Sequence, residues 1–247
     1  MLLFGHRGAR GEAPENTLPG FAYARRAGVA AFELDVRLTA DGRLAVIHDA
    51  TVDRTTFSSG PVAGFTAAEL VSLDARRSFP DWPEPAGVPL LEDVLDVYAA
   101  TIRFAVEIKH DESARLERAG ELVIAAIERY RLAGRVTVTS FAAEALEVVR
   151  RLAPDIPRAF IGAYDTPQFL ETALRLECAQ ADIPLSRSSV EVVREAQARG
   201  LRVVGWLGNT ADDLAALVAW GVDGITTDYP SRALPYLRER GIDPTRW

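Results

Sequence analysis

The sequence predicts an α/β chain folded as a (β/α)8 TIM barrel with a short insertion after the second strand. Three observations lead there. A unit of amphipathic helix, glycine and short β-branched strand recurs from end to end; the chain has 247 residues, a size such barrels commonly reach; and no G-x-G-x-x-G follows the first strand. The last point removes the dinucleotide-binding form of the doubly wound open sheet, the alternative architecture for a chain that alternates strands with helices.

In chain order the strands are expected at residues 2–6, 30–36, 102–109, 136–140, 157–162, 177–182, 201–206 and 223–228. Gly28, Gly134, Gly200 and Gly221 stand just before four of them, where a helix commonly ends on a left-handed residue. Helix starts carry their own signals. Thr210 with Asp213 resembles a capping box, Ser188-Ser189 precedes VEVVREAQARG, and Ser231 follows Pro230. The run AFELDVRLTADGRLAVIHD, residues 31–49, is expected to be a strand, a tight Asp41-Gly42 turn and a returning arm outside the eight. Residues 50 to about 89 break the cadence with dense Pro and Gly, and are expected to cap the site within a single domain, 1–247. Phe79 and Trp82 are candidates for its inner side, with ordinary packing the blander reading.

A hydrophobic content of 48% with 26% charged residues is that of a soluble globular protein. A net charge of −7 without a basic cluster argues against a nucleic-acid partner, so an anionic substrate would need a cation and local basic side chains. The lone Cys178 excludes an internal disulfide and reads as core. The first residues lack the pattern of a signal peptide, and no apolar run reaches the length of a membrane span. A cytoplasmic protein is expected.

Alternation along the second strand puts Phe32, Leu34 and Val36 on one face and Glu33, Asp35 and Arg37 on the other. With the turn centred on Asp41-Gly42, His48 falls roughly opposite Asp35. Side-by-side carboxylates on a strand buried on its other face repel, and are costly to desolvate unless a cation neutralises them. The third strand repeats the pattern, with Glu107 and Lys109 alternating against Val106 and Ile108. In a barrel, the carboxyl ends of the strands gather at one mouth. There the sequence offers His6-Arg7, Glu33 with Asp35, Glu107 with Lys109, Ser140, Trp206 and Asp228. Three carboxylates without histidine or cysteine favour Mg²⁺ or Ca²⁺ over Zn²⁺. His6 and His48 remain free for proton transfer. Trp206 reads equally as substrate wall or core, Asp228 as closing the barrel, His110 as surface, and Asn16 or Thr17 as helix cap or ligand.

At this point the chain resembles the glycerophosphodiester phosphodiesterases of the phospholipase-C-like barrel superfamily. The matching pieces are GHRG (5–8), PENT (14–17), ELDVRLTADG (33–42), HD (48–49), RTT (54–56), VPLLEDVL (88–95), EIK (107–109), SF (140–141) and GVDGITTDYP (221–230). Each is common alone; their order and spacing are specific. The resemblance implies hydrolysis of a small-molecule glycerophosphodiester to sn-glycerol 3-phosphate and an alcohol. It implies a divalent cation on Glu33, Asp35 and Glu107, His6 and His48 as acid and base, and Arg7 and Lys109 steadying the phosphate. Where the family usually has W-T-x-N, this chain has Trp206-Leu207-Gly208-Asn209, which changes the loop beside the aromatic residue. The short insertion points to deacylated headgroup diesters, such as glycerophosphocholine or glycerophosphoethanolamine, over bulky lipids. Two alternatives remain, a lyase that stops at a cyclic phosphate and a non-catalytic phosphodiester-binding barrel; retention of both histidines and all three carboxylates weighs against the second.

Overall fold

The computed structural model describes residues 1–162 and 168–247. Its strands are β1 (Leu2–His6), β2 (Ala31–Leu38), β3 (Leu44–Val46), β4 (Arg103–Ile108), β5 (Val136–Ser140), β6 (Arg158–Ile161), β7 (Gln180–Pro184), β8 (Arg202–Trp206) and β9 (Gly224–Thr227). All but β3 are parallel. They run β1-β9-β8-β7-β6-β5-β4-β2, and a β1–β2 ladder closes the ring, so eight strands form the predicted TIM barrel. The helices are α1 (Leu18–Ala27), α2 (Ala67–Ser72), α3 (Leu91–Tyr98), α4 (Ser113–Arg129), α5 (Ala143–Leu152), α6 (Phe169–Arg175), α7 (Val190–Ala198), α8 (Ala211–Trp220) and α9 (Pro230–Glu239). Helix ends follow local chemistry. Thr17 caps α1 and the Thr210–Asp213 box caps α8, while Gly28 and Gly221 close those two helices at φ of 106° and 76°.

The main core lies between sheet and helices. Phe32, fully buried on the outer face of β2, packs against Phe21 of α1 at 5.0 Å, Tyr98 of α3 at 5.2 Å and Phe104 of β4 at 6.3 Å. Inside the ring, Leu2, Phe4, Ala31, Ala105 and Val204 form a small apolar floor. The next inward positions up the same strands are His6, Glu33, Glu107 and Trp206, so period-two alternation sets the polar mouth directly on that floor.

The predicted hairpin is present with a longer turn. Thr39 N–H donates to the Arg43 carbonyl and Gly42 stands at φ 75°, so five residues rather than two make the connection. The pairing Val36↔Val46, and the Ile47 N–H donating to the Asp35 carbonyl, set Ile47 rather than His48 beside Asp35; His48 follows one residue past the ladder. Strand β7 starts three residues later than expected. Glu177 is left-handed at φ 52° and the Cys178 N–H donates to the Ala173 carbonyl, so these residues finish α6. Cys178 is buried as expected, and burial pushes its thiol up to about 12.

Residues 50–89 do not form the expected cap. Val52, Val62, Leu70, Ala75 and Val88 pack with Ala45 and Ile47 into a second core, which buttresses β3. None of the residues lining the mouth cavity comes from this stretch. Trp82 packs edge-on against Tyr23 of α1 at 6.0 Å and near Phe79 at 6.4 Å, which is the packing role.

Candidate active site

The parallel register supplies the site's geometry. His6 of β1 is level with Glu33 of β2, and Asp35 of β2 is level with Glu107 of β4. Ligand atoms of Glu33, Asp35 and Glu107 all lie within 4.8 Å of one another. A cavity of about 170 Å³ opens above them, lined on this side by His6, Arg7, Glu33, His48 and Glu107.

The three acids do not ionise alike. Burial, then repulsion from Asp35 and Glu107, hold Glu33 well above the carboxylate range; burial and Asp35 raise Glu107 as well. Burial works the same way on Asp35, but the charges of Arg7 and Lys109 outweigh it and bring its carboxyl down to about 2. Arg7 Nε stands 3.2 Å and Lys109 Nζ 3.5 Å from its oxygens, while Lys109 also donates to Glu107 at 2.5 Å. Asn16 Nδ2 donates to Asp35 Oδ2 at 2.8 Å, whereas Asp35 Oδ1 and Asn16 Oδ1 are buried and accept no hydrogen bond among the described residues. A cluster of hard oxygen donors with orphaned lone pairs and mutual repulsion fits a divalent metal ion.

Each histidine is braced by a carboxylate. His6 Nδ1 pairs with Asp228 Oδ1 at 2.6 Å, and His48 Nδ1 with Asp49 Oδ1 at 2.5 Å. His6 Nε2 lies 3.8 Å from Glu33. Burial lowers both imidazoles below their usual range, opposed by Asp228 at His6 and by Asp35 and Asp49 at His48. Asp228 is itself fixed by Asn209, whose Nδ2 donates to its Oδ2 at 2.8 Å and whose Oδ1 accepts from its backbone N–H at 2.9 Å. At His48, Arg37 Nε donates to the backbone carbonyl at 2.8 Å. Arg54 links the two halves, donating to Asp49 at 2.6 Å and to Glu15 at 2.7 Å; Glu15 in turn accepts from Arg7 Nη1 at 2.8 Å.

The eight residues expected to bind metal, move protons or contact phosphate and substrate therefore meet here. His6, Arg7, Glu33, His48, Glu107 and Trp206 line the cavity, and Asp35 and Lys109 adjoin it through contacts with Arg7 and Glu107. Ser140 does not join them: its Oγ donates to the Ile108 carbonyl at 2.6 Å and ties β5 to β4. His110 is exposed, as expected. In the supporting shell Glu15, Asp49, Arg54 and Asn209 had no part assigned from the sequence, whereas Asn16 stood as cap or ligand and Asp228 stood at the mouth. Asp228 holds His6 rather than merely closing the barrel. The remaining wall includes Phe141, Ile161 and Asp182, which had no part assigned from the sequence, and Leu207, whose departure from the family pattern was noted. There Phe141 sits edge-on to Trp206 at 6.2 Å, with Lys109 Nζ 5.6 Å from its ring centroid. Gly208 is demanded by packing, since a Cβ would come within 2.6 Å of Ile225.

Acids gathered for a cation, basic groups beside them and two braced imidazoles at a barrel mouth are the equipment of a hydrolase acting on phosphoric esters. Comparison with known proteins narrows that class: the chain belongs to the glycerophosphoryl diester phosphodiesterase family, whose sequence model matches residues 6–232. A glycerophosphodiester phosphodiesterase of Bacillus altitudinis is 34% identical over 240 residues, covering 96% of this chain and 98% of its own. A putative glycerophosphoryl diester phosphodiesterase from Silicibacter pomeroyi superposes with a TM-score of 0.90 at 32% identity, covering 98% of this chain and 95% of its own. An Oleispira antarctica phosphodiesterase, solved in complex with the product sn-glycerol-3-phosphate, also reaches 0.90 at 26% identity, with coverages of 96% and 97%. Among the described residues no helix is long and apolar enough to cross a membrane.

Proposed function

We propose that this chain hydrolyses small glycerophosphodiesters to sn-glycerol 3-phosphate and an alcohol, as one catalytic domain in the cytoplasm, using Mg²⁺ or Ca²⁺ on Glu33, Asp35 and Glu107. The reading is carried by one observation: three carboxylates within 4.8 Å share a cavity with two imidazoles, each paired to its own carboxylate. The bound cation would supply Lewis-acid stabilisation of charge on the phosphoryl oxygens. Arg7 and Lys109 add fixed positive charge beside the same position. Asp228 and Asp49 stay ionised as acceptors, so each histidine directs its Nδ1 proton to them and turns Nε2 to the cavity. One imidazole then removes a proton from the attacking oxygen as the new P–O bond forms, and the other delivers a proton to the departing alkoxide. Trp206 walls the substrate.

Turnover of glycerophosphocholine and glycerophosphoethanolamine with Mg²⁺, Ca²⁺ and Mn²⁺ in turn, followed by phosphorus NMR, tests the reading. Production of sn-glycerol 3-phosphate without a persistent cyclic phosphate is expected. E107Q should lower kcat/KM by at least about 100-fold, as loss of a metal ligand does. Full activity of that variant in EDTA would sink the metal assignment.

A further inference from the structure

Across the mouth from the acidic triad the barrel carries an ionisable group that the proposed reaction leaves unused. Counting round the ring, β2 and β4 are second and third, while β7 and β8 are sixth and seventh, so Asp182 and Trp206 face the triad over the cavity. Asp182 Oδ1 accepts from Gln180 Nε2 at 2.7 Å, and among the described residues no cation lies within ion-pair distance of it. Burial pushes its carboxyl up to about 7, so near neutrality it is as much acid as carboxylate. On the neighbouring strand of the same wall Trp206 Nε1 is buried without a partner among the described residues, and so is Thr139 Oγ1, which lines the cavity from β5, level with Glu107. Buried polar groups are rarely left unpaired, and a cluster of them beside a cavity marks where a ligand supplies the missing bonds.

The chemistry of that ligand follows from the set. Trp206 Nε1 only donates, Thr139 Oγ1 donates and accepts, and Asp182 does either as it changes protonation. An ammonium group donates only, and would leave the indole N–H unanswered. An apolar chain would answer none. Hydroxyls both donate and accept, and a polyol brings more than one. We infer that Asp182 is a specificity-determining residue, holding the hydroxyls of the substrate's glycerol moiety on the wall opposite the acidic triad. The inference rests on the phosphodiesterase reading above and adds to it which wall selects the glycerol end.

Two chromogenic diesters with one leaving group test it: glyceryl p-nitrophenyl phosphate, and ethyl p-nitrophenyl phosphate, which lacks the hydroxyls. For D182A, kcat/KM on the glyceryl diester is expected to fall at least about tenfold further than on the ethyl diester, because a site built to pair with a hydroxyl discriminates strongly against its loss. D182N, which keeps an acceptor for Gln180 and a polar group toward the cavity, should recover most of that ratio. Calorimetric affinity for sn-glycerol 3-phosphate against ethyl phosphate should shift in the same direction without any turnover. An equal loss on both diesters by folded D182A, or no loss, overturns the inference. So does a selective loss on glycerophosphoethanolamine relative to glycerophosphoglycerol with the glyceryl-to-ethyl ratio intact, which would assign Asp182 to an ammonium. If the unaltered enzyme turns over neither diester with any metal, the phosphodiesterase reading has failed and the inference falls with it.

Discussion

Replacing Asp182 by Asn should stabilise the protein, and by an amount that depends on pH. The carboxyl is buried, hydrogen-bonded to Gln180 and raised from an ordinary 3.8 to about 7. An acid whose native pKa lies above its unfolded one is protonated in the native state while already ionised in the unfolded chain. Its contribution to stability is therefore whole below the unfolded pKa and is lost progressively as pH rises through about 7. Each pH unit in that window is worth about 1.4 kcal/mol, giving a ceiling of about 4 kcal/mol. Asn carries no charge, retains an acceptor for Gln180 and escapes the whole of it. Urea denaturation at about pH 5.5 and about pH 8 should show the advantage of D182N growing by about 2 kcal/mol between the two. A difference between Asn and Asp that is flat across this range, or that shrinks as pH rises, would show that Asp182 is not held as a buried acid.

Three further outcomes follow from the site and the core. H6A and H48A should each lose about 10²–10⁴ in kcat on glycerophosphocholine, and whichever histidine serves the leaving group should recover most of its loss on a p-nitrophenyl diester, which needs no proton; equal losses on both substrates would deny the division of labour. D228N should lower kcat by about 10²-fold or more with little change in KM, and shift the acidic limb of the pH–rate profile, because Asp228 sets the tautomer and basicity of His6; an unmoved profile would leave it a structural residue. F32A should cost about 3–5 kcal/mol of stability by denaturant titration, since the ring is fully buried among Phe21, Tyr98 and Phe104.

What was legible in the sequence was what local periodicity encodes. Strand alternation gave the facing of Glu33, Asp35 and Glu107, and glycines after amphipathic helices gave the eight-fold count. What was hidden depends on meetings between distant segments. Asp228 reaches His6 across 222 residues and Glu15 reaches Arg54 across 39, and no short-range pattern announces either pair. Asn16 is hidden for another reason: its left-handed backbone, φ 54°, puts a residue that reads as a helix cap under Asp35, while Thr17 does the capping. Residues 50–89 misled because irregular chain at a barrel mouth suggests a lid, whereas their apolar residues were needed to cover the back of β3. Asp182 ended its expected strand, at the mouth, but its nearest described partner is Gln180 two residues away, so no charge or motif beside it marked a role.

The strand that bears Glu33 and Asp35 runs on beyond the ring to pair with β3, so the reach from those acids to His48 is measured out in rungs of one ladder, with Arg37 as a clasp. That spacing is set by the ladder, and downstream only Arg54 reaches back to brace it. The exposed 83–85 bend could be spliced with a guest peptide and the chemistry would not feel it. A single extra residue within the paired stretch from Asp35 to Leu38 has no such latitude, since slipping the register by one turns the paired faces inside out.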